Sequence, residues 1–485
     1  MRVGRQGGEE DGGGGGRVFD YRVMVVESVA ALPAYPPLPL LLPFSRYLRF
    51  NPANPRWQNS DFGGDRFDQA LDLPDWASPS LPDGSWDPAT VYSLPGRVLS
   101  PDPAEPNRKR EQVPAKTVSH HKTARGEAVY VVEMDRVFSG WLEVTGLHGT
   151  PGATAHINLS SVPFCDDSDW DRCQAPGGFA AEYNMRHEIV FGPSGVADFI
   201  PRFSYNEVRF AAFSGISKPP AGVVGHRVGN IGVLSGDGGD DATDGGRARI
   251  GWFTSSNADL NRIYNTSMRT MANLVTGGMS VDCPHRERLG YLGDAHTTLE
   301  TALDNVASAR FYTKWILDIL DIQGYPAHSV GAKDPEGYIA HTAPTVDGGG
   351  GPGWSGFVVT MPWELYLRTG DTDVLALAFP GQVKLMDFWF ANFQAGLLEK
   401  WGSDGWAFLG DWLTPHGSEP STTPEAELFN NCYVLYCTRL MAKVSLVLGN
   451  RTAAARFTVF LTSALILIIS RAFLSSVKCH PTHAV

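Results

Sequence analysis

The sequence predicts a multidomain β + α chain, with β-sandwich domains in its N-terminal half and an all-helical C-terminal half. Three observations lead there. A chain of 485 residues is too long for one ordinary core. Residues 128–145 (AVYVVEMDRVFSGWLEVT) alternate apolar and polar side chains, with β-branched types dominant, which is the pattern of a pair of half-buried strands. Beyond residue 256, apolar residues recur at helical spacing with no strands of like quality between them.

The elements follow in order. Residues 1–48 are low-complexity and linker sequence, and prolines at 33, 36, 37, 39 and 43 forbid a helix in the apolar stretch there. Residues 50–118 are rich in Pro, Asp and Trp, with turn signals such as PDG at 82–84 between Trp76 and Trp86, and form an N-terminal β-domain. Residues 119–234 form a β-sandwich domain, with further strands at Thr154–Leu159, Glu188–Phe191 and Glu207–Phe213 separated by Gly and Pro clusters. The acidic run SGDGGDDATDGG within 235–247 is a solvated linker. A capping-box-like start at Ser256–Asp259 opens a helix carrying Leu260, Ile263, Tyr264, Met268, Met271 and Val275. Helical stripes continue over residues 295–320, 356–368, 374–393 and 425–448.

Composition narrows the function. A hydrophobic share of 43% and a charged share of 19% belong to globular chains. A net charge of −12 argues against a nucleic-acid partner, which requires clustered Lys and Arg. Cys165 and Cys173, or Cys432 and Cys437, could pair, or the six cysteines are free and buried; no spacing matches a metal site and no cofactor motif is present. The glycine-rich start is not a signal peptide, so the compartment stays open. The apolar run Phe457–Ser470 is shorter than the ~20 residues a bilayer span needs. Extending it to Leu474 includes Arg471, so a membrane tether through residues 457–474 is the weaker reading.

One segment carries chemistry. Residues 282–294 read DCPHRERLGYLGD, with three carboxylates, two arginines, an aromatic and two glycines between two helices. Pro284 limits helix formation, and Gly290 and Gly293 permit tight backbone paths. Such a loop can aim Asp282, Glu287 and Asp294 into one concavity, where neighbouring carboxylates raise each other's pKa and one stays protonated. That is what a general acid requires. The alternative is an ion-pair network in which Arg286 and Arg288 neutralise the acids.

This segment resembles the signature of the α-L-rhamnosidases of glycoside hydrolase family 78. GWFTSSNADLNRIYNTSMRT and FIPRFSYNEVRF upstream, residues 66–90, and FYTKWILDILDIQ, GPGWSGFVVTMPWELYLRTGD and LGDWLTP downstream are also similar, so the resemblance covers about residues 50–448. It implies β-sandwich domains before an (α/α)6 barrel, here a partial one at 250–448. It implies inverting hydrolysis of terminal non-reducing α-L-rhamnose from a glycoside or polysaccharide, with two carboxyls ~6.5–9.5 Å apart around a water. By position, Glu287 matches the general acid, Asp282 and Asp294 match residues that hold sugar hydroxyls, and Arg286 matches a sugar-contacting arginine. Tyr291 stands where many members have Trp. Trp354 and Trp412, with Asp411, match aromatic walls of the pocket, though core packing is the alternative for both tryptophans.

The resemblance also sets a limit. The family's general base is a second glutamate further along, and the helices visible here are fewer than a full barrel needs. Residues 450–485 form an atypical apolar tail that reads as sequence from a shifted or unspliced frame. The expectation is an acid site with little hydrolysis, or a carbohydrate-binding protein without turnover. Asp334, Glu336 and Glu364 are candidate replacement bases.

Overall fold

Ala128–His148 runs as one strand, β4, where the alternation predicts a pair. The difference lies at Ser139-Gly140, which has the look of a turn. A Cβ at Gly140 would stand 1.9 Å from His226 O. The glycine therefore admits a neighbouring backbone and does not break the strand. The computed structural model describes residues 57–59, 64–72, 101–123, 125–164, 185–230, 250–325, 335–394, 396–398, 400–401, 407–412 and 423–477. The readings made for residues 1–48 and 235–247, and for Trp76, Trp86, Cys165, Cys173 and Asp334, lie outside these residues.

The chain divides into two compact units. One takes residues up to Asp102 with Pro114–Arg136 and Trp141–Gly225, the other Pro103–Val113, Val137–Gly140 and His226 onward. The described N-terminal strands are β1 (Trp57–Asn59), β2 (Asp65–Asp68), β3 (Arg108–Lys122), β4, β5 (Thr154–Ser160), β6 (Arg186–Val190), β7 (Val196–Phe199), β8 (Asn206–Ser214) and β9 (Gly222–Gly229). They hydrogen-bond in the order β1-β2-β6-β5-β8-β4-β3-β9, with β7 on β4. The pairing of β2 with β6 is parallel. The inward faces carry Val129, Ile157, Leu159, Ile189, Val208 and Phe213, all buried.

The second unit is helical after β9. α1 (Ala258–Leu274) starts on Asn257, whose side chain accepts from the amides of Asp259 and Leu260; the cap is one residue later than the sequence suggests. Met268, Met271 and Val275 are buried, while Leu260 and Ile263 of the same predicted stripe are exposed. The stripe predicted over 295–320 is two helices, α2 (Leu292–Asn305) and α3 (Ala309–Asp321). The spacing explains it. Buried apolar positions run through Leu299, Ala302, Leu303 and Val306 and resume at Phe311 and Tyr312, a five-residue step that does not continue one helical face.

The remaining helices are α4 (Pro352–Ser355), α5 (Phe357–Thr369), α6 (Asp373–Ala391), α7 (Pro424–Val447) and α8 (Arg451–Val477). Gly370, at φ 70°, ends α5 in the left-handed conformation, and Thr423 caps α7 by accepting from the Ala426 amide at 3.1 Å. One core joins them, with Trp315, Phe357, Phe388 and Trp389 buried. The tail residues from 451 are a helix continuous with this core: Ala454, Phe457 and Ala464 are buried, and Phe460 stacks on Phe390 at 3.6 Å. Among the described residues, the helix long and apolar enough to cross a membrane is α6, which is half buried in the protein. Cys432 and Cys437 are both free, one exposed and one buried; five helical residues apart, their side chains diverge by roughly 140°.

Candidate active site

Backbone hydrogen bonds hold the motif between α1 and α2. After α1 a short hairpin, β10 (Val275–Thr276) and β11 (Met279–Ser280), delivers the chain to Val281. The loop closes on itself: the Asp282 amide donates to Leu289 O at 3.0 Å, and the Leu289 amide donates to Asp282 Oδ1 at 3.2 Å. Arg288, buried, takes φ 55° at the corner. A second segment, residues 341–343, clamps the exit. The Leu292 amide donates to His341 O at 2.8 Å and the Ala343 amide to Gly290 O at 3.1 Å, forming a bridge between Tyr291 and Thr342. A Cβ at Gly290 would stand 2.2 Å from Ala343 O, so this glycine serves close approach.

The acids gather around a thiol. Cys283 Sγ donates to Asp282 Oδ2 at 2.6 Å and lies 3.2 Å from Glu287 Oε2. Arg286 Nε lies 3.1 Å from that sulfur and 3.2 Å from Glu287 Oε2. Burial, with the Glu287 and Asp294 charges, pushes the Asp282 carboxyl up to about 6 despite the thiol's hydrogen bond. Burial also works to raise Glu287, but its own amide, the Cys283 thiol and the Arg286 charge outweigh that and hold it below the usual carboxylate range. The expectation that neighbours keep Glu287 protonated therefore changes: the raised carboxyl of the pair is Asp282. Burial and both carboxylates push the Cys283 thiol far up, keeping it protonated.

Asp294 sits in the first turn of α2. Its surface is open to solvent, yet protein crowds its other sides. That crowding and the Glu287 charge raise its carboxyl, while its own amide, Arg286 and His341 oppose the rise. Tyr291 is half-buried; burial first, then the charges of Asp347, Glu287, Asp282 and Asp294, push its hydroxyl up. Its ring lies 5.0 Å from that of His341.

Trp354, on α4, is brought to the motif. A Cβ at Gly293 would stand 2.8 Å from Trp354 Nε1, and one at Gly350 would meet the Trp354 Cβ at 3.2 Å and the His341 Cβ at 2.5 Å. Asp411 and Trp412 follow a segment anchored nearby, since the Leu409 amide donates to Gly350 O at 2.5 Å. Both are exposed, so core packing does not explain Trp412. Their side chains are placed near this wall through the backbone only. Among the candidate bases, Glu336 is exposed and Glu364 accepts from Arg368 at 2.6 Å. His341, Asp347 and Cys283 also lie at the candidate site, and the sequence analysis gave none of them a role there. The signal available was the sequence HTAPTVDGGGG, whose glycines lead into Trp354.

Asp282, Cys283 and Glu287 bring possible ligand atoms within 4.8 Å of one another. The guanidinium of Arg286 already occupies the sulfur and the Glu287 oxygen. A cation would meet that charge, so the arrangement suits proton handling better than metal binding.

Residues 248–476 match the family profile described as the bacterial alpha-L-rhamnosidase six-hairpin glycosidase domain. The match runs past residue 448, where the sequence reading had ended it, and takes in α8. An alpha-L-rhamnosidase of Formosa agariphila is 28% identical over 386 residues, covering 76% of this chain and 36% of the relative. One of Streptomyces avermitilis is 24% identical over 399 residues, covering 80% of this chain and 34% of the relative. The chain thus spans about a third of the length of these relatives. Among solved structures, the alpha-L-rhamnosidase from Dictyoglumus thermophilum has a TM-score of 0.67 at 20% identity, covering 84% of this chain and 42% of its own. The Streptomyces avermitilis enzyme complexed with L-rhamnose has a TM-score of 0.64 at 22% identity, covering 83% of this chain and 35% of its own. These two structures share the fold.

Proposed function

We propose that this chain, which belongs to the α-L-rhamnosidase family of six-hairpin glycosidases, binds terminal α-L-rhamnose of a glycoside or polysaccharide at Asp282–Asp294. There it supplies the proton that releases the leaving group. One observation carries the reading: Asp282 and Glu287 lie against the same thiol donor, and burial raises the Asp282 carboxyl to about 6. A glycosidic oxygen is a poor leaving group until protonated, so a site that keeps a proton near neutrality beside an arginine is suited to the step.

In this reading Asp294 and Arg286 hold sugar hydroxyls, and Trp354, Tyr291 and Trp412 face the apolar side of the ring. A bound sugar displaces water from the carboxyls, which favours their neutral forms and lets Glu287 take the shared proton and pass it to the leaving oxygen. In an inverting reaction a second carboxylate, ~6.5–9.5 Å from the acid, activates water on the other face. The second reading is sugar binding without turnover. It is favoured by the engagement of Glu364 with Arg368 and the exposure of Glu336, which leave neither poised as that base.

Hydrolysis of an aryl α-L-rhamnoside, with the first-formed anomer followed by proton NMR, tests the two. Turnover that gives the inverted anomer and drops at least 100-fold in Glu287→Gln supports the enzyme reading. Saturable rhamnose binding with no product supports the binding reading. Neither binding nor turnover sinks both.

A further inference from the structure

The thiol of Cys283 sits between the two carboxyls that handle the proton. It donates to Asp282 at 2.6 Å and lies 3.2 Å from Glu287, while Arg286 Nε approaches the same sulfur at 3.1 Å. We propose that Cys283 is a positioning residue whose S–H, placed between Asp282 and Glu287, sets how the two carboxyl groups divide the shared proton. The proposal deepens the reading of this pair as the proton-handling pair, but its test does not require turnover.

A thiol has one hydrogen. With the S–H on Asp282, as the structure has it, the thiol opposes the rise that burial imposes on that carboxyl and loosens its hold on the proton; turned toward Glu287 it would favour the Glu287 anion instead. The chemistry needs a neutral thiol, because a thiolate would add a third negative charge between two acids. Burial and both carboxylates keep it neutral. The guanidinium of Arg286 bonds the sulfur lone pair and so keeps the S–H directed at the acids. The same features make this thiol a poor nucleophile and a poor target for alkylation.

Other charged and titratable groups face the pair. Arg286 comes from the loop and Asp294 and Tyr291 from the start of α2, with His341 and Asp347 from the clamping segment. Asp282 and Glu287 also hydrogen-bond each other, which makes them one proton-sharing pair with the thiol between them.

The experiment follows carbon-13-labelled aspartate carboxyls by NMR across pH 4–9 in the intact chain, with Asp282 assigned by its loss in Asp282→Asn. In Cys283→Ala the Asp282 titration is expected to move up by roughly half to one pH unit, because a hydrogen bond to its anion is lost. In Cys283→Ser, where a hydroxyl donor is restored, it is expected to return toward the wild-type position. An Asp282 titration unchanged in Cys283→Ala would overturn the proposal, and so would coincident curves for the Ser and Ala variants. If Cys283→Ala does not fold, Cys283→Val takes its place, filling the volume without a donor. The expected shift without rhamnoside hydrolysis would count against the hydrolase reading alone.

Discussion

Gly293 lies against Trp354 so closely that a β-carbon at residue 293 would stand 2.8 Å from the indole Nε1. The backbone at the start of α2 and the indole of α4 therefore form one surface beside Asp294. Gly290 is packed differently, with a virtual Cβ 2.2 Å from the carbonyl oxygen of Ala343. An indole can tilt, whereas a backbone carbonyl in a bridge cannot move alone. Gly293→Ala is expected to lower rhamnose affinity about tenfold with a small loss of stability. Gly290→Ala is expected to cost about 1–3 kcal/mol by disrupting the clamp. Calorimetry and urea unfolding of the two variants separate these effects.

The two tryptophans differ in the same way. Trp354 is 7% exposed and Trp412 is 45% exposed. Trp354→Ala empties core volume and is expected to cost about 3–5 kcal/mol. Trp412→Ala is expected to leave stability within about 0.5 kcal/mol while weakening rhamnose binding several-fold. Parallel denaturation and binding measurements check both halves of the contrast. Unaltered sugar binding in Trp412→Ala would remove that residue from the pocket.

Much of the site was legible in the chain because its chemistry is local. Asp282, Arg286, Glu287 and Asp294 fall within one short stretch of sequence, the last in the first turn of α2, and the helices on either side show their periodicity. The clamp was not legible: His341–Ala343 meets Gly290–Leu292 through backbone groups, which leave no periodic trace. Nor was the placement of the proton, since composition says that carboxyls will compete but not which one a thiol and an arginine favour. The single long strand through Gly140 was not legible for a related reason. A glycine that accommodates another backbone and a glycine that turns the chain look alike until the neighbour is seen.

Stability should record the proton on Asp282. Its ordinary value is 3.8 and burial raises it to about 6 in the folded chain. Between those values the folded state binds a proton that the unfolded state has lost. The stability gained from the neutral carboxyl is full below about pH 4 and is lost as pH rises through about 6, with a ceiling on the order of 3 kcal/mol. Asp282→Asn, which cannot ionise, is expected to gain on the wild type across that window. Thermal unfolding of both proteins from pH 4 to pH 7 measures the difference. A constant gap would show that Asp282 ionises normally.

The most direct test of the site is titration of L-rhamnose into the wild-type chain and Asp294→Ala by calorimetry, which depends on neither a base nor turnover. Saturable binding by the wild type, weakened at least tenfold (about 1.4 kcal/mol) in the variant, is the expected result. Absence of binding by the folded wild type, or equal affinity in the two proteins, would contradict the assignment of Asp282–Asp294 as the rhamnose site.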